Sequence, residues 1–195
     1  REKILLIFDE VMTGFRLAPG GAQQALGVNA DLITYGKVIG AGMPVGAFGG
    51  KREIMESVAP VGKVYQAGTL SGNPIAMIAG FTLLTELKNN PAIYGELEQK
   101  TEQLKNGMAE IFMGKKIPVQ INQLGSMISV HFTTEPVTDF ASSSRSDQQQ
   151  FNSFFHHMLK SGVYLPPSAF ESWFLNNALS AVDIAETLKV VENFS

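Results

Sequence analysis

The chain has 195 residues, 45% of them hydrophobic, which is enough to build the core of one large domain or two small ones. Its 15 basic and 18 acidic residues give a net charge of −3, so neither nucleic acid nor an anionic membrane is expected as a partner. The chain has no cysteine, which excludes disulfides and thiolate metal sites and fits a reducing compartment. No apolar run reaches membrane-spanning length, and we expect a cytoplasmic location.

The first predicted element is a buried strand. Five large apolar residues at 4–8 follow one another without alternation, and two carboxylates, Asp9 and Glu10, come directly after them. Such a run is typical of a parallel strand that is covered on both faces. A strand of this kind needs neighbours on both sides, and few other strands are predicted. We therefore expect the chain to be the C-terminal part of a longer polypeptide.

The second predicted strand, 32–35, ends at a lysine on a glycine-rich turn. Ligands of open α/β sheets collect at the carboxyl ends of strands, so Asp9 and Lys37 should share one edge. Val11 lies two residues after Asp9 and would point to the same side of an extended chain. Taken alone, Lys37 would be interpreted as a solvated loop lysine. Together, however, a carboxylate for a pyridine nitrogen, an apolar side chain for the ring and a lysine for the aldehyde carbon suit pyridoxal phosphate.

A loop rich in glycine and hydroxyl groups precedes the next predicted helix. Residues 68–72 read Gly-Thr-Leu-Ser-Gly, and Asn73 and Pro74 then supply an N-cap and a favourable first helical residue. Such a loop can hold phosphate, although an ordinary capped loop has the same pattern. The helix, to about Leu87, is apolar nearly all round and is predicted to be buried. Gly80 in its middle predicts a close packing contact.

The composition changes at Asn90-Pro91, where we place the boundary between a first domain, 1–90, and a second, 91–195. The predicted elements of the second domain are an amphipathic helix over 92–113, alternating strands near 119–121 and 127–132, a mobile Ser/Thr-rich loop over 133–146, a helix with a Phe/Met core stripe over 151–159, a short strand over 163–165, and a final helix that begins at a capping box of Ser180 and Asp183. These elements indicate a small α+β domain.

Other chemistries have weak support in the sequence. Of the three histidines, His131 lies on a predicted strand, whereas His156 and its neighbour are adjacent on a helix and would not share a metal ion. Gly36-Lys37 is similar to the end of a nucleotide-binding P-loop, but Val38 stands where that loop needs Ser or Thr. We expect neither a metal site nor a nucleotide site.

Three motifs carry a resemblance to a known family. FDEVMTGFR (8–16), DLITYGKVIGAGMPVGAFGG (31–50) and YQAGTLSGNPIAMIAG (65–80) resemble the fold-type I, class III aminotransferases, and within them the glutamate-1-semialdehyde aminomutases. The resemblance returns at GVYLPPSAFE (162–171). It implies an α/β fold, namely the second half of a large domain with a mostly parallel sheet in an α/β/α arrangement, followed by a small α+β C-terminal domain.

The resemblance also implies a cofactor site. Carried over residue by residue, it makes Lys37 the lysine that bonds pyridoxal phosphate, Asp9 the partner of the pyridinium nitrogen and Val11 a residue packed against the ring. It makes Gly68 and Thr69 phosphate contacts, with Thr69 reaching the cofactor of the other subunit of a homodimer.

The implied substrate is a small amino-aldehyde, and the implied reaction converts glutamate-1-semialdehyde to 5-aminolevulinate for tetrapyrrole synthesis, through the pyridoxal and pyridoxamine forms of the cofactor. Tyr65 and Glu171 are the candidate substrate-binding residues. A class III ω-aminotransferase would share the cofactor residues, and a catalytically silent fragment or interaction module would keep only the fold. An aminotransferase that uses glutamate usually needs an arginine for the α-carboxylate, and none lies between 146 and 195.

Overall fold

Two three-stranded sheets organise the chain, one in each of two units that divide after Ala92. The computed structural model describes residues 4–195. In the first unit, β1 (Ile7–Glu10) pairs in parallel with β2 (Leu32–Tyr35), which pairs antiparallel with β3 (Ala47–Gly50). With the helices around it, this sheet confirms the α/β class expected from the sequence.

The helices of the first unit begin and end at recognisable signals. They are α1 (Gly21–Leu26), α2 (Arg52–Met55) and α3 (Pro74–Asn89). Gly27 ends α1 with a φ of 64°, a left-handed conformation that favours glycine. The Asn73 side chain accepts hydrogen bonds from the amides of Ile75 and Ala76 at 3.0 and 3.2 Å, which confirms the predicted start of α3.

The first strand and α3, which were predicted to be buried, are largely exposed within the described residues. Ile4 is 77% exposed and Ile7 57%, and on α3 Ile75 is 67% and Phe81 68% exposed. Within residues 4–195, β1 has β2 as its one neighbouring strand, and only two small residues of α3 are buried. The apolar patterns predicted neighbours that the described chain does not contain, and exposed apolar area of this extent marks an interaction surface.

The second unit has an antiparallel sheet in the order β4-β5-β6 and four helices. The strands are β4 (Gln120–Leu124), β5 (Met127–His131) and β6 (Trp173–Phe174), and the helices are α4 (Ala92–Gly114), α5 (Phe140–Ser144), α6 (Gln148–Lys160) and α7 (Ala181–Glu192). In the described part of the chain, no helix combines the length and the apolar character that a membrane crossing requires.

An aromatic core holds the second unit together. Phe154 of α6 lies at the centre, with its ring centroid 5.7 Å from that of Phe112, 5.6 Å from Phe132 and 5.2 Å from Phe194. Ring contacts of this geometry add to the free energy gained from burial of the side chains. The prediction that the Phe/Met stripe of α6 is core is therefore confirmed.

Two local predictions in the second unit are wrong. The loop over 133–146 contains α5, because the side chain of Asp139 caps this helix in a reciprocal pair with Ser142. The third strand is not at 163–165 but at Trp173–Phe174, which pair with β5. The two prolines after residue 165 lack the amide donors that a strand ladder needs. The capping box of Ser180 and Asp183 at the start of α7 is confirmed.

Candidate active site

The candidate site lies where β1 and β2 end. The two strands run in parallel with Asp9 opposite Thr34, and Lys37 follows three residues later. Both Asp9 and Lys37 are exposed. Oδ1 of Asp9 accepts hydrogen bonds from the Val11 amide at 3.0 Å and from the Thr34 hydroxyl at 3.3 Å. Asp9 and Lys37 thus follow the ends of neighbouring parallel strands, at one edge of the sheet, as the sequence predicted.

Lys37 begins a single 3-10 turn, Lys37–Gly40, directly after β2. Its φ of 46° lies in the left-handed region, which costs a residue with a side chain about 1–2 kcal/mol. The turn packs against α3, and a Cβ added to Gly80 would overlap the carbonyl oxygen of Ile39. This contact confirms the close packing predicted for Gly80. It ties the backbone that carries Lys37 to a 16-residue helix.

The sequence predicted a chain that is extended through Val11. In the structure β1 ends at Glu10, and Val11 lies in the turn that follows. The Gly14 amide closes this turn with a hydrogen bond of 2.8 Å to the Glu10 carbonyl oxygen. Cγ1 of Val11 lies 3.2 Å from the place that a Cβ on Gly36 would occupy. Val11 therefore fills the space between the ends of β1 and β2, beside both Asp9 and the turn of Lys37.

Glu10 is the residue of this region whose position the sequence did not reveal. It is 0% exposed, although Asp9 next to it is exposed. Its Oε2 accepts hydrogen bonds from the Thr13 hydroxyl at 2.5 Å and the Ala22 amide at 2.8 Å, and its Oε1 accepts one from the Gln23 amide at 2.9 Å. The one signal in the sequence is the adjacent pair of carboxylates, which does not say where the second carboxylate binds.

The glycine-rich loop borders a cleft of about 810 Å³ that is lined by residues 44–47, 68–72 and Met77. Gly68 and Thr69 are both exposed, and the Ser71 amide donates to the Gly68 carbonyl oxygen at 2.9 Å. The first amides of α3 are already bound by its N-cap residue, so the Thr69 hydroxyl and the loop are the groups left to meet an anion. Tyr65, a candidate substrate contact, is 83% exposed.

Glu171 lies in the second unit, where it is exposed on the rim of a cavity of about 710 Å³. Trp173 also lines this cavity, and its indole nitrogen is buried without a hydrogen-bond partner among the described residues. The acidic residues Asp183 and Glu186 lie along the same cavity. The lining of this cavity therefore includes three carboxylate side chains, which suit a ligand that carries an amine.

The histidines have ordinary local partners. Nδ1 of His131 lies 3.4 Å from the Ser143 hydroxyl, and burial lowers the pKa of His131. Nδ1 of His156 lies 2.8 Å from the carbonyl oxygen of Asn152. Over residues 4–195 the structure brings no three His, Asp or Glu side chains together as metal ligands.

Solved structures show which class of fold this is. An omega-transaminase from Sphaerobacter thermophilus superposes with a TM-score of 0.87 at 31% identity, over 97% of this chain and 43% of that one. A glutamate-1-semialdehyde aminomutase from Pseudomonas aeruginosa in complex with PMP gives 0.83 at 22% identity, over 97% of this chain and 44% of its own. The fold is that of the transaminases.

The sequence comparisons give the family. The model for "Aminotransferase class-III" matches residues 1–189, and the chain belongs to this family. Curated glutamate-1-semialdehyde 2,1-aminomutases are 58% identical in Sulfurihydrogenibium azorense, over 95% of this chain, and 52% identical in Flavobacterium johnsoniae, over 98%. The chain spans 43% and 45% of the length of these two relatives.

Proposed function

We propose that the full-length protein is a cytoplasmic, pyridoxal-phosphate-dependent glutamate-1-semialdehyde 2,1-aminomutase that makes 5-aminolevulinate for tetrapyrrole synthesis. The observation that carries the proposal is the placement of Asp9, Val11 and Lys37 at one edge of a parallel strand pair. Family membership and curated relatives that share more than half of its residues support the same reaction.

The residues at the sheet edge fit pyridoxal phosphate. Both hydrogen bonds to the Asp9 carboxylate go to Oδ1, and Oδ2 accepts none from the described residues, so it is available to a pyridinium N–H. The Lys37 amine is exposed and makes no hydrogen bond or ion pair in the part of the chain that the structure describes. A carboxylate, an amine and an apolar side chain are thus present for the ring nitrogen, the aldehyde carbon and the ring face.

Each of these residues has a distinct task. When bound, the cofactor supplies an electron sink for the substrate carbon that loses a proton. The Lys37 amine takes that proton as a base and returns it to a neighbouring carbon as an acid. The Asp9 carboxylate keeps a proton on the ring nitrogen, since a negative charge within hydrogen-bond distance favours the protonated form. Val11 packs against the ring and limits its tilt.

We further propose a homodimer in which Gly68 and Thr69 hold the cofactor phosphate, with Thr69 reaching the site of the partner subunit. The exposed side chain of Thr69 supports this, because its hydroxyl makes no hydrogen bond to the described residues and is available to a ligand. Lys37 and Asp9 of a site would then come from one subunit and Thr69 from the other.

Mixed dimers of a Lys37→Ala subunit and a Thr69→Ala subunit test this arrangement. If Thr69 acts across the interface, one site of each mixed dimer carries both defects and the other site carries none. We therefore expect activity to reappear when the two inactive or weak variants are unfolded together and refolded. Refolding each variant alone is the control. Activity no higher than the mean of the two parents would contradict the sharing of Thr69.

The substrate class follows from the candidate contacts. Glutamate-1-semialdehyde carries an amine at C4 and a carbonyl at C5, and the product carries them in the opposite order, so no second amino donor or acceptor is consumed. Glu171 would attract the substrate amine, and Tyr65 would contact the substrate from the segment that precedes the glycine-rich loop. Neither this glutamate nor the arginine-free segment 146–195 suits the α-carboxylate of a second amino acid.

Incubation of the full-length enzyme with glutamate-1-semialdehyde alone should therefore give 5-aminolevulinate over many turnovers. The product would be measured by its colour reaction after condensation, with and without added 2-oxoglutarate or pyruvate. The ω-transaminase among the solved structures, at 31% identity, makes an aminotransferase the alternative. Strict dependence on an added 2-oxo acid would select that alternative. A catalytically silent protein would show no visible absorption band after it is mixed with pyridoxal phosphate.

A further inference from the structure

The buried carboxylate of Glu10 joins three pieces of the first unit. Successive residues of a strand point to opposite faces, so Asp9 faces the site when Glu10 faces away from it. On that other face, Glu10 binds Thr13 in the turn after β1, and Ala22 and Gln23 in the first turn of α1. A buried charge is costly unless hydrogen bonds compensate for it, and here both carboxylate oxygens have partners.

The surrounding residues leave Glu10 little freedom. A Cβ on Gly21 would overlap the Glu10 carboxylate, and a Cβ on Gly14 would overlap the ring of Tyr35 and the Glu10 carbonyl oxygen. Phe15 packs against Tyr35, with the two ring centroids 5.5 Å apart. Burial and the negative charge of Glu10 both raise the pKa of Tyr35. The segment between Glu10 and α1 is therefore held at its start and at its end by the same side chain.

This segment begins with Val11, whose amide donates to Asp9 and whose side chain fills the space beside Gly36. We propose that Glu10 is a positioning residue, which closes the 11–22 segment and thereby holds Asp9 and Val11 in the places that the cofactor ring requires. The inference rests on the proposed function. Without the Glu10 carboxylate, the amides of Ala22 and Gln23 lose their acceptors, the segment opens, and Asp9 loses the Val11 amide that fixes its rotamer.

The test uses the full-length enzyme and the variant Glu10→Gln, which keeps the shape of the side chain but offers one acceptor oxygen where the carboxylate offers two. Glu56→Gln, which changes an exposed carboxylate of the same unit, is the matched control. Pyridoxal phosphate is titrated into each apoenzyme, and the ¹⁵N signal of ring-labelled cofactor reports the proton on its nitrogen. We expect Glu10→Gln to weaken cofactor binding by about tenfold or more, as the loss of a buried charged hydrogen bond should.

The ring nitrogen should also lose its proton at a lower pH in Glu10→Gln, because a displaced Asp9 no longer favours the protonated form. Glu56→Gln should change neither quantity. Thr13→Val removes one hydrogen bond to Glu10 with little change of shape, and it should shift both quantities in the same direction by a smaller amount. If Glu10→Gln does not fold, the result for Thr13→Val tests whether Glu10 positions Asp9 and Val11.

Two results would overturn the inference. The first is wild-type cofactor affinity and an unchanged ring-nitrogen signal in folded Glu10→Gln and Thr13→Val. The second is a lower melting temperature without either change, which would give Glu10 a role in stability alone. If the wild-type enzyme itself neither binds pyridoxal phosphate nor isomerises the substrate, the proposed function fails first, and this outcome is recognisable before any variant is made.

Discussion

Replacement of Lys37 by alanine should lower turnover of glutamate-1-semialdehyde by at least about a thousandfold, within the range lost when a positioned acid–base group is removed. The exposed Lys37 amine is the amine that the parallel strand pair places at the same edge as Asp9. Steady-state production of 5-aminolevulinate by the full-length variant measures the effect.

A chemical label distinguishes loss of the reacting amine from loss of the fold. Borohydride reduction of the cofactor-loaded wild-type enzyme should leave a pyridoxyl mass on the peptide that contains Lys37. The variant should carry no label and should keep the wild-type circular dichroism spectrum. Lys88→Ala, which removes an exposed lysine at the far end of α3, should retain both label and activity. A pyridoxyl mass on a different lysine of the wild-type enzyme would refute the assignment.

Asp9→Asn should lower kcat by about a hundredfold or more, which is the usual effect of removing an electrostatic group aimed at developing charge. Asparagine keeps an Oδ1 that can accept from the Val11 amide and from Thr34, so the orientation of the side chain is preserved. What is lost is the negative charge that we propose to lie beside the ring nitrogen. Measurement of kcat at saturating cofactor separates this loss from weaker cofactor binding.

Thr34→Val is the matched variant for Asp9. The Thr34 hydroxyl donates a long hydrogen bond of 3.3 Å to Asp9. Removal of this hydroxyl should therefore change kcat far less than the loss of the Asp9 carboxylate. If Asp9→Asn retained nearly all of the wild-type kcat, Asp9 would not be the partner of the ring nitrogen.

The edge of the sheet could be predicted from the sequence because its signals are local. An unbroken apolar run followed by Asp9, and a second run followed by Gly36-Lys37, define two parallel strand ends without knowledge of the remaining fold. The start of α3 could also be predicted, because Asn73 and Pro74 act within one turn of the helix. The contact at Gly80 followed from the cost of glycine in the middle of a helix.

The features that the sequence did not reveal depend on distant or competing partners. The exposure of Ile7 and Phe81 depends on which elements lie beside them. An apolar pattern predicts that such residues pack against another element, but it does not identify that element. Glu10 binds amides 12 and 13 residues away, and no spacing rule reports such a contact. The helix α5 was missed because a serine-rich stretch looks irregular until the reciprocal cap of Asp139 is recognised.

The contact between Gly80 and the turn of Lys37 has a consequence for engineering the proposed enzyme. Because two backbones touch there, any side chain at position 80 must push the lysine-bearing turn away from α3. A substitution that shifts α3 should therefore shift the turn of Lys37 as well, because the helix and the turn touch at this contact. A library aimed at new substrates should leave Gly80 unchanged and treat α3 as a means of adjusting the reach of Lys37.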